Sequence, residues 1–555
     1  MPETASGAER VVEALEAYGV AYVFGNPGTT ELPLLRALAD SSVEYVLALH
    51  EDVAVAMAAG YAIGSRHAGA TDRPVGVANL HVAPGVAHGL GNLYNADRAG
   101  APVLVTAGAH ARDFQRSRPL LGGDLVAMTD QFTKWARETD DPAALPGDLR
   151  AAVEAATTPP TGPGFLALPL DVQLAETEAA VEPLGNRAPP LTPAEGDVAV
   201  AADAIAAAEA PVLVVGDRVA QDGSQAIDAA VRLAEATGAR VHGEVLPAEA
   251  SFPPRHPQWV SILPPDEDRI RTLLDADTLI LAGCDSLVPL TAPSAPLVDP
   301  ESTVVEIGYP SDVHGLDLDP TVRVAGPPGE GLDRLADRLE GAVDPEAIEA
   351  RIDDLEAVRG FVQAVMAEAA APEGDAADRL SKPAVVEALC AVAPEAYVVD
   401  EGVTASYALR AGMALEPGRY LFSKGAGLGF GAGAALGVAL AVEDRPVVAF
   451  VGDGSFLYYP QALYTAVRRS IDVTFLVVDN EGYRILKDNL HAMFDDATAE
   501  DYLGMDLAPP IDIAGFGRAQ GVSAESVSTP GELEPALASA VERDGPALVV
   551  ARVQD

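Results

Sequence analysis

Lysine is nearly missing from this chain. Of 555 residues only Lys134, Lys382, Lys424 and Lys487 carry an ammonium, and arginine supplies the rest of the 36 basic residues against 83 acidic ones. The formal net charge of −47 repels phosphate backbones and anionic headgroups, which excludes a nucleic-acid or membrane-surface role. Cysteine is as scarce. Cys284 and Cys390 have no CxxC spacing, so neither a disulfide framework nor a thiolate metal centre is available, and a reducing cytoplasm is the expected location. The first residues carry Glu3, Glu9, Arg10 and Glu13 without an apolar run, which is not the pattern of a secretory signal. The long apolar run Gly425 to Val442 contains six glycines and reads as close-packed backbone rather than a membrane span.

What the chain has in quantity is apolar residue, 49% against 21% charged, so it folds rather than staying an acidic coil. Its length suggests about three domains at roughly 100–200 residues each. The acid is spread through every region, as in Asp40, Glu44, Glu51 and Asp52, or Asp353, Asp354 and Glu356. That is a halophilic composition, suited to molar salt in which the Debye length falls to about 3 Å.

Ser6 and Glu9 form a capping box that predicts a first helix ending at Gly19. Short β-rich runs then alternate with helical stretches such as Glu51–Ala62. The runs are Val20–Phe24, Val43–Leu49, Val75–Leu80, Val103–Thr106 and Phe165–Pro169. A linker rich in Pro and Gly spans Pro183 to Pro193. A second block carries Pro211–Val215, Thr278–Ala282 and Thr303–Ile307, and a third carries Tyr397–Val399, Val447–Val451, Thr474–Val478 and Ala547–Val553. The fold class expected is α/β, with three consecutive doubly wound parallel-sheet domains at 1–185, 195–343 and 379–555 and a helical linker at 344–378.

Ligands of open parallel sheets bind beyond the carboxyl ends of strands, so the residues there are the candidates. In the first block these are Gly25-Asn26-Pro27-Gly28-Thr29, His50-Glu51 and His81. In the third, Gly452-Asp453-Gly454-Ser455 follows one strand and Asp479-Asn480-Glu481-Gly482 the next. Asp453 and Asn480 are 27 residues apart, a crossover length that brings both to one sheet edge. A carboxylate, an amide oxygen and the Gly482 carbonyl suit magnesium, leaving room for a diphosphate among its six oxygen ligands.

This pair of turns resembles the thiamine-diphosphate motif of the decarboxylase and acetolactate-synthase superfamily. Glu31-Leu32-Pro33, Leu47-Ala48-Leu49-His50-Glu51, Asn79-Leu80-His81 and Gly427-Leu428-Gly429-Phe430 are most similar to its benzoylformate decarboxylase branch. The resemblance spans essentially the whole chain, as pyrimidine-binding, central and diphosphate-binding domains. It implies a magnesium-dependent 2-oxo acid decarboxylase working through an ylide and an enamine, with sites between the subunits of a homodimer or homotetramer. Glu51 would then meet N1′ of the aminopyrimidine, the Ala426 carbonyl its 4′-amino group, and Leu428 the underside of the bent cofactor. Glu401, Thr404, Gly452, Gly454, Ser455 and Tyr483 would meet the diphosphate side. Asp453, Asn480 and Gly482 would hold the metal. His81 would stabilise or protonate adducts, Thr29 would meet the substrate carboxylate, and Leu486 would line the pocket.

The resemblance also has a gap. The branch carries a second catalytic histidine on its central domain, and Leu281-Ala282-Gly283-Cys284-Asp285 through Leu290 offers none, with Leu290 in its place. A longer-lived enamine can attack a second carbonyl, so acetolactate synthase is the alternative, with FAD compatible with the central domain but not indicated. His88 and His110 are spare histidines that read as structural. A GxGxxA match at Gly427, Gly429 and Ala432 raises a nicotinamide oxidoreductase, against which Phe422-Ser423-Lys424-Gly425 reads poorly as the strand that motif requires.

Overall fold

The computed structural model describes residues 4–71, 73–185, 191–289, 292–309, 320–370, 380–494 and 496–554. The chain forms two compact units, one of Met1–Asn186, Ala370–Gly412 and Gly425–Asp555, the other of Arg187–Ala369 and Met413–Lys424. No helix among the described residues is long and apolar enough to cross a membrane.

The first unit opens with α1 (Gly7–Ala17), capped as expected: the Ser6 hydroxyl accepts the Glu9 N–H and the Glu9 carboxylate accepts the Ser6 N–H. Its first sheet contains β1 (Tyr22–Gly25), β2 (Glu44–Leu47), β3 (Gly76–His81), β4 (Val103–Ala109), β5 (Trp135–Glu138) and β6 (Gly164–Pro169). These are parallel throughout, in the order β2-β1-β3-β4-β6-β5. Every residue of β4 and β6 is buried, as expected of central strands covered on both faces. The chain leaves β1 for β2 on one side and returns to β3 on the other. The crevice between β1 and β3 is thus a topological switch point.

Helices α2 (Glu51–His67), α3 (Val82–His88) and α4 (Leu90–Arg98) follow β2 and β3. Later in the chain, α5 (Phe430–Ala441) lies directly against α2. A Cβ added at Gly60 would sit 2.0 Å from the Ala434 carbonyl oxygen, and one at Gly437 2.0 Å from that of Met57. Backbone thus meets backbone, as the glycine-rich run implied. Gly433 meets Val53 and Ala56 while Gly64 meets Val438, so the two helices run the same way and their N-termini share one end.

Two more parallel sheets follow. In the second unit β7 (Pro211–Val215), β8 (Arg240–Gly243), β9 (Trp259–Ile262), β10 (Thr278–Ala282), β11 (Thr303–Gly308) and β12 (Val322–Ala325) are parallel in the order β9-β8-β7-β10-β11-β12. In the first unit β13 (Tyr397–Glu401), β14 (Val447–Gly452), β15 (Thr474–Asp479), β16 (Ser523–Val527) and β17 (Ala547–Arg552) follow the order β13-β14-β15-β17-β16. The α/β class with three parallel sheets is therefore as the sequence reads.

Residues Pro345–Ala370, within the segment expected as a helical linker, are helical, and those up to Ala369 group with the second unit. Arg359 donates to the Trp259 and His256 carbonyls at 3.0 and 2.9 Å. The last residues of the expected linker, like part of the one around Pro183–Pro193, lie outside the described residues. A short strand also forms at Tyr420–Phe422, where the Phe422 N–H meets the Ala248 carbonyl at 2.8 Å.

Candidate active site

The rim of the first sheet is built around Glu31. This carboxylate is fully buried, and its Oε2 accepts the Gly28 N–H at 3.0 Å and pairs with His81 Nδ1 at 2.7 Å. Its Oε1 accepts the Thr30 hydroxyl at 2.7 Å. With a carboxylate on Nδ1 that nitrogen carries the proton, so Nε2 is the position left to take up or release one. The imidazole lies against Gly28, where a Cβ would come within 2.2 Å of the ring. Val82, next along, is held at φ 40, an outlier for a β-branched residue. Thr29 is exposed on this turn, while Thr30 is buried in the Glu31 network.

Glu51 opens α2 and is 7% exposed. His88 Nδ1 stands 3.4 Å from its Oε2, and the His50 and His88 rings are 5.3 Å apart. His50 Nδ1 accepts the Asp52 N–H at 3.1 Å, so His50 serves as the cap of α2. Asp52 faces the other way. It accepts the Tyr459 hydroxyl at 2.5 Å and the Asn92 N–H at 2.9 Å, and burial raises its pKa. His110 is structural, with Nε2 at 2.8 Å from the Leu120 carbonyl.

On the other sheet of this unit, strand ends converge on one cleft. Gly402, Val403, Thr404, Leu428, Gly452, Asp453, Gly454, Ser455, Asn480, Gly482 and Tyr483 all line it. The register that pairs Gly452 with Val478 sets Asp453 beside the turn after β15, and its Oδ2 accepts the Gly482 N–H at 3.2 Å. Burial, together with the neighbouring Asp479, pushes the Asp453 pKa up. Val403 and Glu481 take φ 53 and 57 on the two flanking turns. Backbone held in this way recurs at ligand sites, and Val403 lines the cleft. Glu401 turns its carboxylate elsewhere: it accepts the Gly429 and Gly431 N–H groups at 2.6 Å each, holding the N-terminus of α5. Burial raises its pKa to about 7.

The donor set fits a magnesium-bound diphosphate. Ser455 Oγ is buried without a hydrogen-bond partner, which a phosphate oxygen would supply. Asp453, which lines the cleft, offers a carboxylate that a hard cation could take. Lys382, absent from the sequence-derived set, also lines the cleft; the rarity of lysine was the available signal. Glu31 was visible only as part of a motif, because nothing in sequence shows which carboxylate meets which imidazole. The cleft lining among the described residues does not include Thr29, Glu51 or His81. Leu486 is half exposed on the helix Arg484–Met493, and Leu290 lies outside the described residues.

A separate cluster occupies the strand ends of the second unit. Lys424 Nζ lies 2.6 Å from Asp217, 2.8 Å from Glu244 and 3.3 Å from Asp285, and Arg218 holds Asp285 at 2.7 Å. The three carboxylates are close enough together for a cation, and the ammonium takes that role. These are the turns after β7 and β10 where a nucleotide would sit in such a sheet.

Comparison with known proteins agrees with this geometry. Residues 5–134, 198–335 and 400–551 match the families described as thiamine pyrophosphate enzyme N-terminal TPP binding, central and C-terminal TPP binding domains. Benzoylformate decarboxylase of Pseudomonas aeruginosa is 32% identical over 547 residues, 97% of either chain. The Mycobacterium tuberculosis protein IlvX, provisionally named as an acetolactate synthase large subunit, is 31% identical over 554 residues, 98% of either chain. The solved structure of a thiamine diphosphate-dependent 4-hydroxybenzoylformate decarboxylase from Rhodococcus jostii RHA1 superposes with a TM-score of 0.84 at 28% identity, covering 99% of each chain.

Proposed function

The chain belongs to the thiamine diphosphate enzymes, and from that premise we propose that it is a magnesium-dependent decarboxylase of a 2-oxo acid. The observation that carries this is the pairing of the buried Glu31 carboxylate with the partly exposed His81 imidazole, 2.7 Å apart, beside the exposed Thr29. When bound, thiamine diphosphate supplies a nucleophilic carbon for the keto carbon and a sink for the electron pair left by carbon dioxide. Asp453, Asn480 and the Gly482 carbonyl would hold magnesium, and Gly452, Gly454, Thr404, Ser455 and Tyr483 would hold the diphosphate. Leu428 lines the cleft and would pack against the cofactor, while Glu401 fixes the turn after Leu428 through the Gly429 and Gly431 N–H groups. Glu51 holds the proton shared with the pyrimidine ring nitrogen, and the Ala426 carbonyl accepts from the 4′-amino group. Thr29 would donate to the substrate carboxylate, Leu486 would bound the pocket, and His81 Nε2 would hold or move a proton at the substrate's keto group.

Among the described residues the cleft lining holds none of Thr29, Glu51 or His81, which supports a homodimer or homotetramer in which two chains complete each site. A second reading, carboligation of the acetolactate synthase type, is favoured by the central turn, where Cys284 is buried and Asp285 is locked to Arg218 and Lys424. No histidine occurs from Leu281 to Val288 to act as a second acid.

The test is product analysis in high salt with thiamine diphosphate, supplying pyruvate and benzoylformate separately, with and without magnesium. Equal amounts of aldehyde and carbon dioxide, lost on chelation, are expected. Acetolactate from pyruvate would move the assignment to the synthase. Turnover untouched by chelator would sink the metal role.

A further inference from the structure

The segment that carries the Ala426 carbonyl is gripped by one buried side chain. Asn95, on α4, donates through Nδ2 to the Gly427 carbonyl at 2.8 Å and accepts the Gly427 N–H at Oδ1, 3.1 Å away. The same Nδ2 donates to Asn92 Oδ1 at 2.8 Å. Asn92 in turn donates its amide to the Asp52 backbone carbonyl at 3.0 Å and its N–H to the Asp52 carboxylate at 2.9 Å. The Tyr459 hydroxyl closes the chain on Asp52. These contacts leave the Asn95 carboxamide one orientation, oxygen to the N–H and nitrogen to the carbonyls.

What it grips is strained. Ala426 sits at φ 55, a left-handed conformation that costs an alanine roughly 1–2 kcal/mol. The flanking glycines are filled by the same asparagine: a Cβ at Gly425 would lie 2.3 Å from Asn95 Oδ1, and one at Gly427 2.9 Å from Nδ2. The Gly427 N–H that Asn95 holds lies in the same peptide plane as the Ala426 carbonyl, so the grip fixes the direction of that carbonyl.

We propose that Asn95 is a positioning residue that sets the direction of the Ala426 carbonyl, and thereby selects a cofactor pyrimidine with a 4′-amino group over one with a 4′-oxo group. The proposal rests on the reading above, in which that carbonyl accepts from the 4′-amino group.

Calorimetric titration of the full chain with magnesium compares thiamine diphosphate with oxythiamine diphosphate, its 4′-oxo analogue. The oxo group has no proton to give the Ala426 carbonyl, so the unmodified chain prefers the amino compound. Asn95→Asp keeps the shape but turns an acceptor toward the Gly427 carbonyl. The preference then falls about tenfold, the worth of one directed hydrogen bond, while affinity for the oxo analogue changes by less than about threefold. Asn95→Ser carries the same comparison if the aspartate variant does not fold. Equal weakening of both ligands would make Asn95 a support of the fold alone and overturn the proposal. An unmodified chain without preference would instead overturn the reading of Ala426, and this proposal with it.

Discussion

A fully buried carboxylate gathering three donors is an expensive arrangement unless each donor is needed, and Glu31 gathers Gly28 N–H, the Thr30 hydroxyl and His81 Nδ1. Replacing it by glutamine sets an amide N–H against one of these donors and frees the imidazole to change tautomer. Glu31→Gln is expected to lower kcat about a hundredfold, the small end of what a positioned acid–base group contributes, with KM little changed. Steady-state kinetics on the reactive 2-oxo acid decides it; unchanged kcat would remove His81 from proton transfer. At this scale the sequence singles out His81, Glu51 and Asp453 as candidates because they follow strands directly. The Glu31–His81 contact is not legible there, because its partners are 50 residues apart, and Lys382 enters the cleft lining only through the fold.

Among the elements, the pairing of α2 with α5 makes the sharpest demand. Gly60 leaves no room for a side chain against Ala434, and a larger residue must push two backbones apart. Gly60→Val is expected to cost about 3 kcal/mol in urea unfolding, the upper end of overpacking penalties. Gly147→Ala is the control, since nothing lies within 4 Å of a Cβ there and the change should be neutral or stabilising by up to about 1 kcal/mol. Equal midpoints for the two variants would contradict the packing. The sequence was informative about interior strands, whose unbroken apolar runs at Pro211–Val215 and Thr278–Ala282 match β7 and β10 to the residue. It missed β5, β9, β12 and β16, all at sheet edges and partly exposed. Edge strands need only one apolar face, and four or five residues of half-apolar pattern do not stand out from a turn. It also missed the interior strand β8, which is only four residues long.

Over the whole molecule, the charge of −47 sets the response to salt. Raising ionic strength from 0.1 to 1 M shortens the Debye length from about 10 to about 3 Å, screening repulsion that the compact state concentrates. Thermal midpoints are expected to rise steadily with potassium chloride over that range; a flat or falling series would remove the halophilic character inferred from composition. The sequence by itself determined the parallel α/β class, the order of its blocks and the strand-end turns at His81 and Asp453, since local periodicity and turn chemistry act over a few residues. Only the tertiary structure decided which groups meet: Glu31 with His81, Lys424 with its three carboxylates, Asn95 with the strained backbone at Ala426. Such pairs join residues up to 332 positions apart, and a contact of that kind exists only once packing has brought the two ends of the chain together.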